Sequence, residues 1–128
     1  MLTGLVDRVA DVSHAVVLSE DGLVVSKSMG FPRDDAERLA ATASGLMSLG
    51  KGVSLDFGGG PVRQALIELA RSFLILTSAG PGVHLVVLTG PGADIGVVAY
   101  EMNMLVKKIG EHLSAAPPAD VAGSDSGE

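Results

Sequence analysis

The chain has 128 residues and a formal net charge of −6 at pH 7, and 47% of its residues are hydrophobic. This length fits one domain, because a single hydrophobic core usually serves about 100 to 150 residues. So much apolar surface excludes a chain that stays disordered in water. Cysteine is absent, which excludes disulfides, thiolate catalysis and cysteine-based metal sites. The acidic balance argues against a nucleic-acid partner, since neutralising phosphates needs clustered Lys and Arg.

The N-terminal residues predict a short amphipathic helix. Within residues 1–11, apolar side chains recur at helical spacing at Leu2, Leu5, Val6 and Val9. Charged residues interrupt this segment at Asp7, Arg8 and Asp11. The segment therefore does not resemble a secretory signal. We expect a cytoplasmic protein without direct membrane insertion, whose recruitment to a membrane would go through its partners.

A β-hairpin is predicted next. Residues 15–19 and 23–27 are rich in β-branched and other apolar side chains. Between them lies Gly22, which can adopt the positive φ that a tight turn demands. We interpret these two runs as the first two strands.

A long helix is predicted from about residue 34 to Val53. Asp34 and Glu37 are spaced as in a capping box, which satisfies exposed amides at a helix start. The residues expected to face a sheet are Ala36, Leu39, Ala43, Leu46, Met47 and Val53. A second stripe consists of the small residues Ala41, Ser44, Gly45, Ser48 and Gly52. Interior glycines cost about 1 kcal/mol each against alanine, so we expect close packing there, with a second subunit or within the same domain.

Three more strands are predicted after the glycine-rich residues 58–60. They cover residues 62–69, 72–78 and 83–89. The stretch from residue 72 to residue 93 carries no formal charge and is long enough to cross a membrane. Residues 80–82, Gly-Pro-Gly, divide it into two short β-rich runs, which indicates a buried hairpin instead.

Asp94 is expected to cap a last helix. The apolar face of this helix comprises Ile95, Val98, Met102, Leu105 and Ile109. Residues 115–128 are mainly Pro, Ala, Gly, Ser and acids with nothing to anchor them, so we interpret them as a disordered acidic tail. The domain then covers residues 1–114 in the order αββαβββα. This order predicts an α/β (α+β) fold in which a five-stranded antiparallel sheet lies between the long middle helix and the terminal helices.

No catalytic, cofactor or metal site is predicted. Residues 45–51 match the first seven positions of a phosphate-binding loop, but Gly52 replaces the Ser or Thr that reaches magnesium, and the glycines fall within a helix. The histidines, which lack metal-ligand spacing, are His14, His84 and His112. Capping accounts for the acid pair at residues 34–35. We therefore expect a binding protein and not an enzyme.

The chain resembles the roadblock family, named for a dynein light chain, and especially its bacterial MglB-like branch of GTPase regulators. The segments that carry the resemblance are residues 15–22 (AVVLSEDG), 34–41 (DDAERLAA), 58–64 (GGGPVRQ) and 96–102 (GVVAYEM). Together they are similar to actinobacterial roadblock proteins encoded beside a sensor kinase and a Ras-like GTPase. The fold that the resemblance implies is roadblock/profilin-like.

The resemblance implies a homodimer in which the strand after the long helix pairs with its copy and the two long helices pack together. The residues expected at the dimer interface are Ala41, Ser44, Gly45, Ser48, Val62, Gln64 and Leu66. An edge strand at residues 62–69 would need such cover, and small side chains would let two helices approach.

The resemblance also implies that the dimer binds a Ras-like small GTPase, either speeding hydrolysis or holding the GTPase in a signalling complex. We expect the surface of the dimer that binds the GTPase to include Arg38, Thr42 and Lys51. The nominal candidates for an inserted arginine finger are Arg33, Arg38, Arg63 and Arg71. One alternative is a dimeric scaffold that links a sensor kinase to signalling partners without changing the GTPase rate. A small-molecule sensor is disfavoured, because few aromatic or convergent polar residues are available to line a pocket.

Overall fold

The structure is a computed structural model that describes residues 4–5 and 11–114. Within residues 11–114 the elements are β1 (Val12–Ser19), β2 (Val24–Lys27), α1 (Arg33–Phe57), β3 (Gln64–Leu69), β4 (Ser72–Ser78), β5 (Val83–Thr89) and α2 (Ile95–Ser114). The sheet order is β2-β1-β5-β4-β3, and every neighbouring pair is antiparallel. The predicted five-stranded antiparallel sheet is confirmed, with β2 and β3 at its edges. The predicted tail, residues 115–128, lies outside the described residues.

Apolar side chains fill both faces of the sheet. Successive strand residues point to opposite faces, so Val16 and Leu18 of β1 pack with α1 while Val17 packs with α2. The buried residues of α1 are Ala36, Ala40 and Ala43. On the other face the core includes Leu5 together with Val98, Met102, Leu105 and Ile109 of α2. The predicted sheet between helices is confirmed, and burial of both faces explains why β5 is apolar nearly throughout.

The start of α1 differs from the predicted capping box. Pro32 occupies the N-cap position with φ −58° and ψ 142°, and no side chain caps the helix. The proline ring holds φ near the helical value, and the helix begins at the next residue, Arg33. Asp34 therefore lies two positions after the N-cap, in the first turn, where its negative charge interacts favourably with the helix dipole. Glu37 accepts a hydrogen bond from Arg33 Nε at 3.2 Å instead of returning to the helix start.

The helix α1 ends later in the chain than predicted, since the prediction placed its end at about Val53. The helix continues to Phe57, and Gly58, with φ 80°, donates its N–H to the carbonyl of Ser54 at 2.9 Å. A helix of 25 residues spans about 37 Å, whereas a seven-residue strand such as β4 spans about 23 Å. The last turns of α1 therefore reach past the sheet. The prediction that Val53 lies in the core is wrong for this reason, since its side chain is 59% exposed.

Asp11 ties the start of β1 to the loop before α2. The predicted helix over residues 1–11 fails at this residue, because Asp11 has φ 68° and β1 begins directly after it. Most of that prediction falls outside the described residues. The Asp11 carbonyl accepts a hydrogen bond from the Gly90 N–H at 2.7 Å, and its carboxylate accepts one from the Gly92 N–H. Asp11 thereby holds this loop at two residues, Gly90 and Gly92.

The predicted hairpins and the cap of the last helix are confirmed. Gly22 has φ 85° in the turn between β1 and β2, and β4 pairs with β5 across residues 79–82. Asp94 Oδ1 accepts hydrogen bonds from the N–H groups of Gly96 at 3.0 Å and Val97 at 3.3 Å. These bonds satisfy amides that the first turn of α2 leaves free. Among the residues that the structure describes, no helix is both long enough and apolar enough to span a membrane.

Candidate protein-interaction site

The strand β3 presents a row of backbone hydrogen-bonding groups at one edge of the sheet. On its inner side β3 pairs with β4, and the Ser78 N–H donates to the Arg63 carbonyl at 2.9 Å. In an antiparallel ladder the direction of these groups alternates from residue to residue. The odd-numbered residues of β3 therefore direct their backbone groups to β4. The residues that direct their backbone groups outward are Gln64, Leu66 and Glu68.

Two apolar side chains accompany this open edge. Leu66 is 53% exposed and Leu69 is 51% exposed. Ala65 and Ile67 pack against the core beneath α1, so the alternation of the strand places Leu66 on the opposite face. Of the predicted interface residues on β3, both Gln64 and Leu66 thus lie on accessible surface.

Val62, also predicted at the interface, lies against α1. The strand begins at Gln64 and not at residue 62. A Cβ added at Gly50 would lie 2.3 Å from Val62 Cγ2, so the two residues are in direct contact. Val62 is half-buried and positions the chain as it enters β3, apart from the open edge.

The small-residue stripe of α1 divides between two sides of the helix. With about 3.6 residues per turn, Ala41, Gly45, Ser48 and Gly52 form one line on the side facing away from the sheet. A Cβ added at Gly45 or at Gly52 would meet no atom within 4 Å. Ser44 instead lies on a flank, because a Cβ added at Gly22 would lie 3.1 Å from Ser44 Cβ. The structure therefore keeps Ser44 on the hairpin side and leaves Ala41, Gly45 and Ser48 exposed, while Gly52 is half-buried.

An apolar flank of α1 was missed in the sequence. Leu49 and Val53 are 71% and 59% exposed, and helical geometry places both on the side of α1 opposite Ser44. Since Ser44 faces the β1–β2 hairpin, Leu49 and Val53 face toward the β3 edge. Their i, i+4 spacing beside the small stripe is the signal that could have revealed this flank.

Two of the three residues predicted to contact a GTPase lie together. Arg38 and Thr42 line a shallow groove of about 360 Å³ beside the first half of α1, and its apolar wall includes Phe31. The Thr42 hydroxyl donates to the Arg38 carbonyl at 3.1 Å, and the Arg38 guanidinium pairs with Asp35. Lys51 is exposed but lies about 13 Å further along the helix and on its opposite flank. The structure therefore separates Lys51 from the groove.

The other arginines proposed as fingers have different surroundings. Arg33 forms an ion pair with Glu37 at 3.2 Å, and both side chains are more than half exposed. Such exposed pairs stabilise a protein by at most about 1 kcal/mol, so Arg33 can leave it readily. Arg63 and Arg71 are exposed at the two ends of β3, next to the open edge.

The two histidines whose side chains the structure describes occupy unrelated environments. The His14 ring stacks on Phe31 with centroids 4.1 Å apart, in the wall of the groove. His84 is 5% exposed, and neither of its ring nitrogens has a hydrogen-bond partner within the described residues. Burial lowers the pKa of His84, and the charge of Glu20 opposes this shift only in part. Across residues 4–5 and 11–114, no group of three or more His, Cys, Asp or Glu side chains is arranged to hold a metal ion.

Comparison with known proteins agrees with this fold. The family model of the Roadblock/LC7 domain matches residues 1–89. A Roadblock/LC7 domain from Streptomyces avermitilis is 47% identical, with a TM-score of 0.83, over 89% of this chain and 95% of its own. A second such domain from that species is 73% identical, with a TM-score of 0.71, over 84% and 92% of the two chains. MglB of Myxococcus xanthus shares the fold at a TM-score of 0.80 and 18% identity, over 89% and 92%. The family model and the two Streptomyces structures show that this chain belongs to the Roadblock/LC7 domain family.

Proposed function

We propose that this chain is a homodimeric regulator that binds a Ras-like small GTPase and changes its nucleotide state within a bacterial signalling complex. The chemistry stays on the GTPase, and the roadblock dimer contributes no catalytic group. We place this activity in the cytoplasm, with any recruitment to a membrane made through partner proteins.

The observation that supports the proposed homodimer is the open β3 edge beside an apolar flank of α1. An edge strand with exposed Leu66 and Leu69 is a template for pairing with another chain. A copy paired through β3 would extend the sheet and bring its own α1 next to Leu49 and Val53. The same contact would cover apolar surface on both faces of the sheet, which favours association in water.

The GTPase half of the proposal is supported by family membership and by the outer surface of α1. Two α1 helices placed side by side would form a platform whose outer line, Ala41, Gly45 and Ser48, carries no bulky side chain. A partner can approach such a surface closely. Arg38 and Thr42 lie beside this line and would supply polar contacts.

The test is a titration of the purified protein against the GTP-loaded and GDP-loaded forms of the small GTPase encoded nearest to it, followed by phosphate release from the same mixture. We expect tighter binding to the GTP form and faster phosphate release. Binding with an unchanged rate would support the alternative, a dimeric scaffold that links a sensor kinase to its partners. Equal affinity for both nucleotide forms would contradict the regulatory proposal.

An Arg38→Ala variant tests the proposed polar contact, with Lys51→Ala as its control on the opposite flank. We expect Arg38→Ala to weaken GTPase binding several-fold and Lys51→Ala to leave it nearly unchanged. Both residues are exposed, so neither change should unfold the domain. Equal effects of the two variants would show that the groove side of α1 is not the contact.

A further inference from the structure

We infer that two copies of this chain pair through β3 in one register, with Leu66 on the two-fold axis. Leu66 then faces the partner's Leu66, and Gln64 faces the partner's Glu68. The inference rests on the proposed homodimer and adds to it the alignment of the two strands.

Symmetry limits the possible registers. When identical strands pair antiparallel within one sheet, the two-fold axis is perpendicular to the sheet. Both copies of α1 then lie on the same face, and directly opposed residues must point to the same face. The axis must therefore pass midway between the two copies of one residue, and not between two peptide bonds. That residue is then said to lie on the axis. Near the middle of β3 the candidates are Ala65, Leu66 and Ile67.

The outward backbone groups favour Leu66. With Leu66 on the axis, Gln64 faces the partner's Glu68, Leu66 faces the partner's Leu66, and Glu68 faces the partner's Gln64. Each outward N–H and C=O of β3 then meets another strand residue. With Ala65 on the axis, Glu68 would face the partner's Val62, which precedes the strand. With Ile67 on the axis, Gln64 would face the partner's Ala70, which lies in a turn. In each of the two alternatives, some outward backbone groups of β3 would therefore face a residue that is not in a strand.

The side chains favour the same register. Leu66, which is 53% exposed, would be covered by its own copy, and the Gln64 amide can donate to the partner's Glu68 carboxylate. On the face beneath α1, Ala65 would face the partner's Ile67, so that face stays apolar. With Ile67 on the axis, Leu66 would instead face a carboxylate and Arg63 would oppose the partner's Arg71. Such like-charge opposition destabilises a strand pair.

Single cysteines can measure this register, because the chain has no cysteine of its own. Directly opposed residues in a hydrogen-bonded pair have Cα atoms about 5.5 Å apart, within disulfide range, whereas diagonal neighbours are about 7–8 Å apart. The variants are Gln64→Cys, Leu66→Cys and Glu68→Cys, all at exposed positions. Val25→Cys, on the opposite sheet edge and 61% exposed, is the control.

Each variant is oxidised alone and in pairwise mixtures, and the products are identified by intact mass. We expect Leu66→Cys to form a disulfide-linked dimer alone. We also expect the mixture of Gln64→Cys and Glu68→Cys to give the mixed dimer, while Val25→Cys stays unlinked. A mixed dimer of Leu66→Cys with Glu68→Cys would place Ile67 on the axis, and one of Leu66→Cys with Gln64→Cys would place Ala65 there. Either result overturns the inference.

Light scattering of the cysteine-free protein separates this inference from the proposed function. The monomer mass is 13.0 kDa. A monomer at all concentrations would contradict the proposed homodimer itself. A dimer whose β3 cysteines never cross-link would leave the homodimer standing and refute the pairing through β3.

Discussion

His84 is the residue at which pH should act on stability. It is buried on β5 without a hydrogen-bond partner in the described residues, and burial lowers its pKa below the ordinary value of about 6.5. Below that pH the unfolded chain binds a proton that the folded chain resists. The contribution of His84 to stability is therefore fully present above about pH 6.5, and it falls as the pH decreases through that value.

A His84→Leu variant should lose this part of the pH dependence. We expect urea unfolding of the wild-type protein to show a lower free energy of unfolding at pH 5.5 than at pH 7.5, and the variant to show a smaller difference. Protein concentration is held constant, because dimerisation would also change the midpoint. An identical pH dependence in both proteins would assign the effect to other groups.

Gly50 and Gly52 make opposite predictions only two residues apart. A methyl group at Gly50 would lie 2.3 Å from Val62 Cγ2, whereas one at Gly52 would meet no atom within 4 Å. Overpacking destabilises by about 1–3 kcal/mol, while alanine favours a helix by about 1 kcal/mol over glycine. We expect Gly50→Ala to lower the free energy of unfolding and Gly52→Ala to raise it by up to about 1 kcal/mol. Chemical denaturation at one protein concentration checks both, and the same sign for both would contradict the close contact at Gly50.

At the scale of elements, the two helices should respond differently to loss of an acidic residue near their starts. Asp94 accepts hydrogen bonds from two amides of α2, whereas no side chain caps α1 and Asp34 lies in its first turn. Replacing a cap by alanine destabilises by about 0.5–2 kcal/mol, and losing a first-turn charge by about 0.3–1 kcal/mol. We expect Asp94→Ala to lower the melting temperature more than Asp34→Ala does. Asp94→Asn should recover most of the loss, because its side-chain oxygen can still accept.

The sheet side and the outer side of α1 both carry small residues, but their surroundings differ. Its sheet side carries alanines at the buried positions, which let the helix lie close to the strands. Its outer line, Ala41, Gly45 and Ser48, is exposed, and a Cβ added at Gly45 would meet no atom within 4 Å among the described residues. Glycines within this helix weaken it, so their presence on the open side is consistent with an approach by another molecule.

At the scale of the whole molecule, the two edges of the sheet should differ in their effect on assembly. Leu66 on β3 and Val25 on β2 are 53% and 61% exposed, so an aspartate at either position leaves the core intact. We expect Leu66→Asp to shift the protein from dimer to monomer at micromolar concentration, and to weaken GTPase binding with it. Val25→Asp should leave the mass in solution unchanged. Light scattering during gel filtration measures this, and an unchanged dimer in Leu66→Asp would place the interface elsewhere.

The strands and the type of each described helix followed from local patterns. Residues 72–78 and 83–89 were predicted with the bounds they have in the structure, because each is an apolar run ended by glycine or a turn. Asp94 was recognised as a cap because its side chain acts within its own turn. The family resemblance also rested on sequence alone, since the segments that carry it are spread along most of the chain.

What the sequence determined by itself was every feature that depends on neighbours within a few residues: strand alternation, helical periodicity, turns and caps. What only the tertiary structure decided was which surface stays open. The exposure of Leu49 and Val53 follows from a helix longer than the strands it crosses, and the contact of Val62 with Gly50 joins residues of different elements. Strand order then made β3 an edge with Leu66 uncovered. These features depend on where distant segments meet in space, and the helical or strand periodicity of a sequence does not specify those contacts.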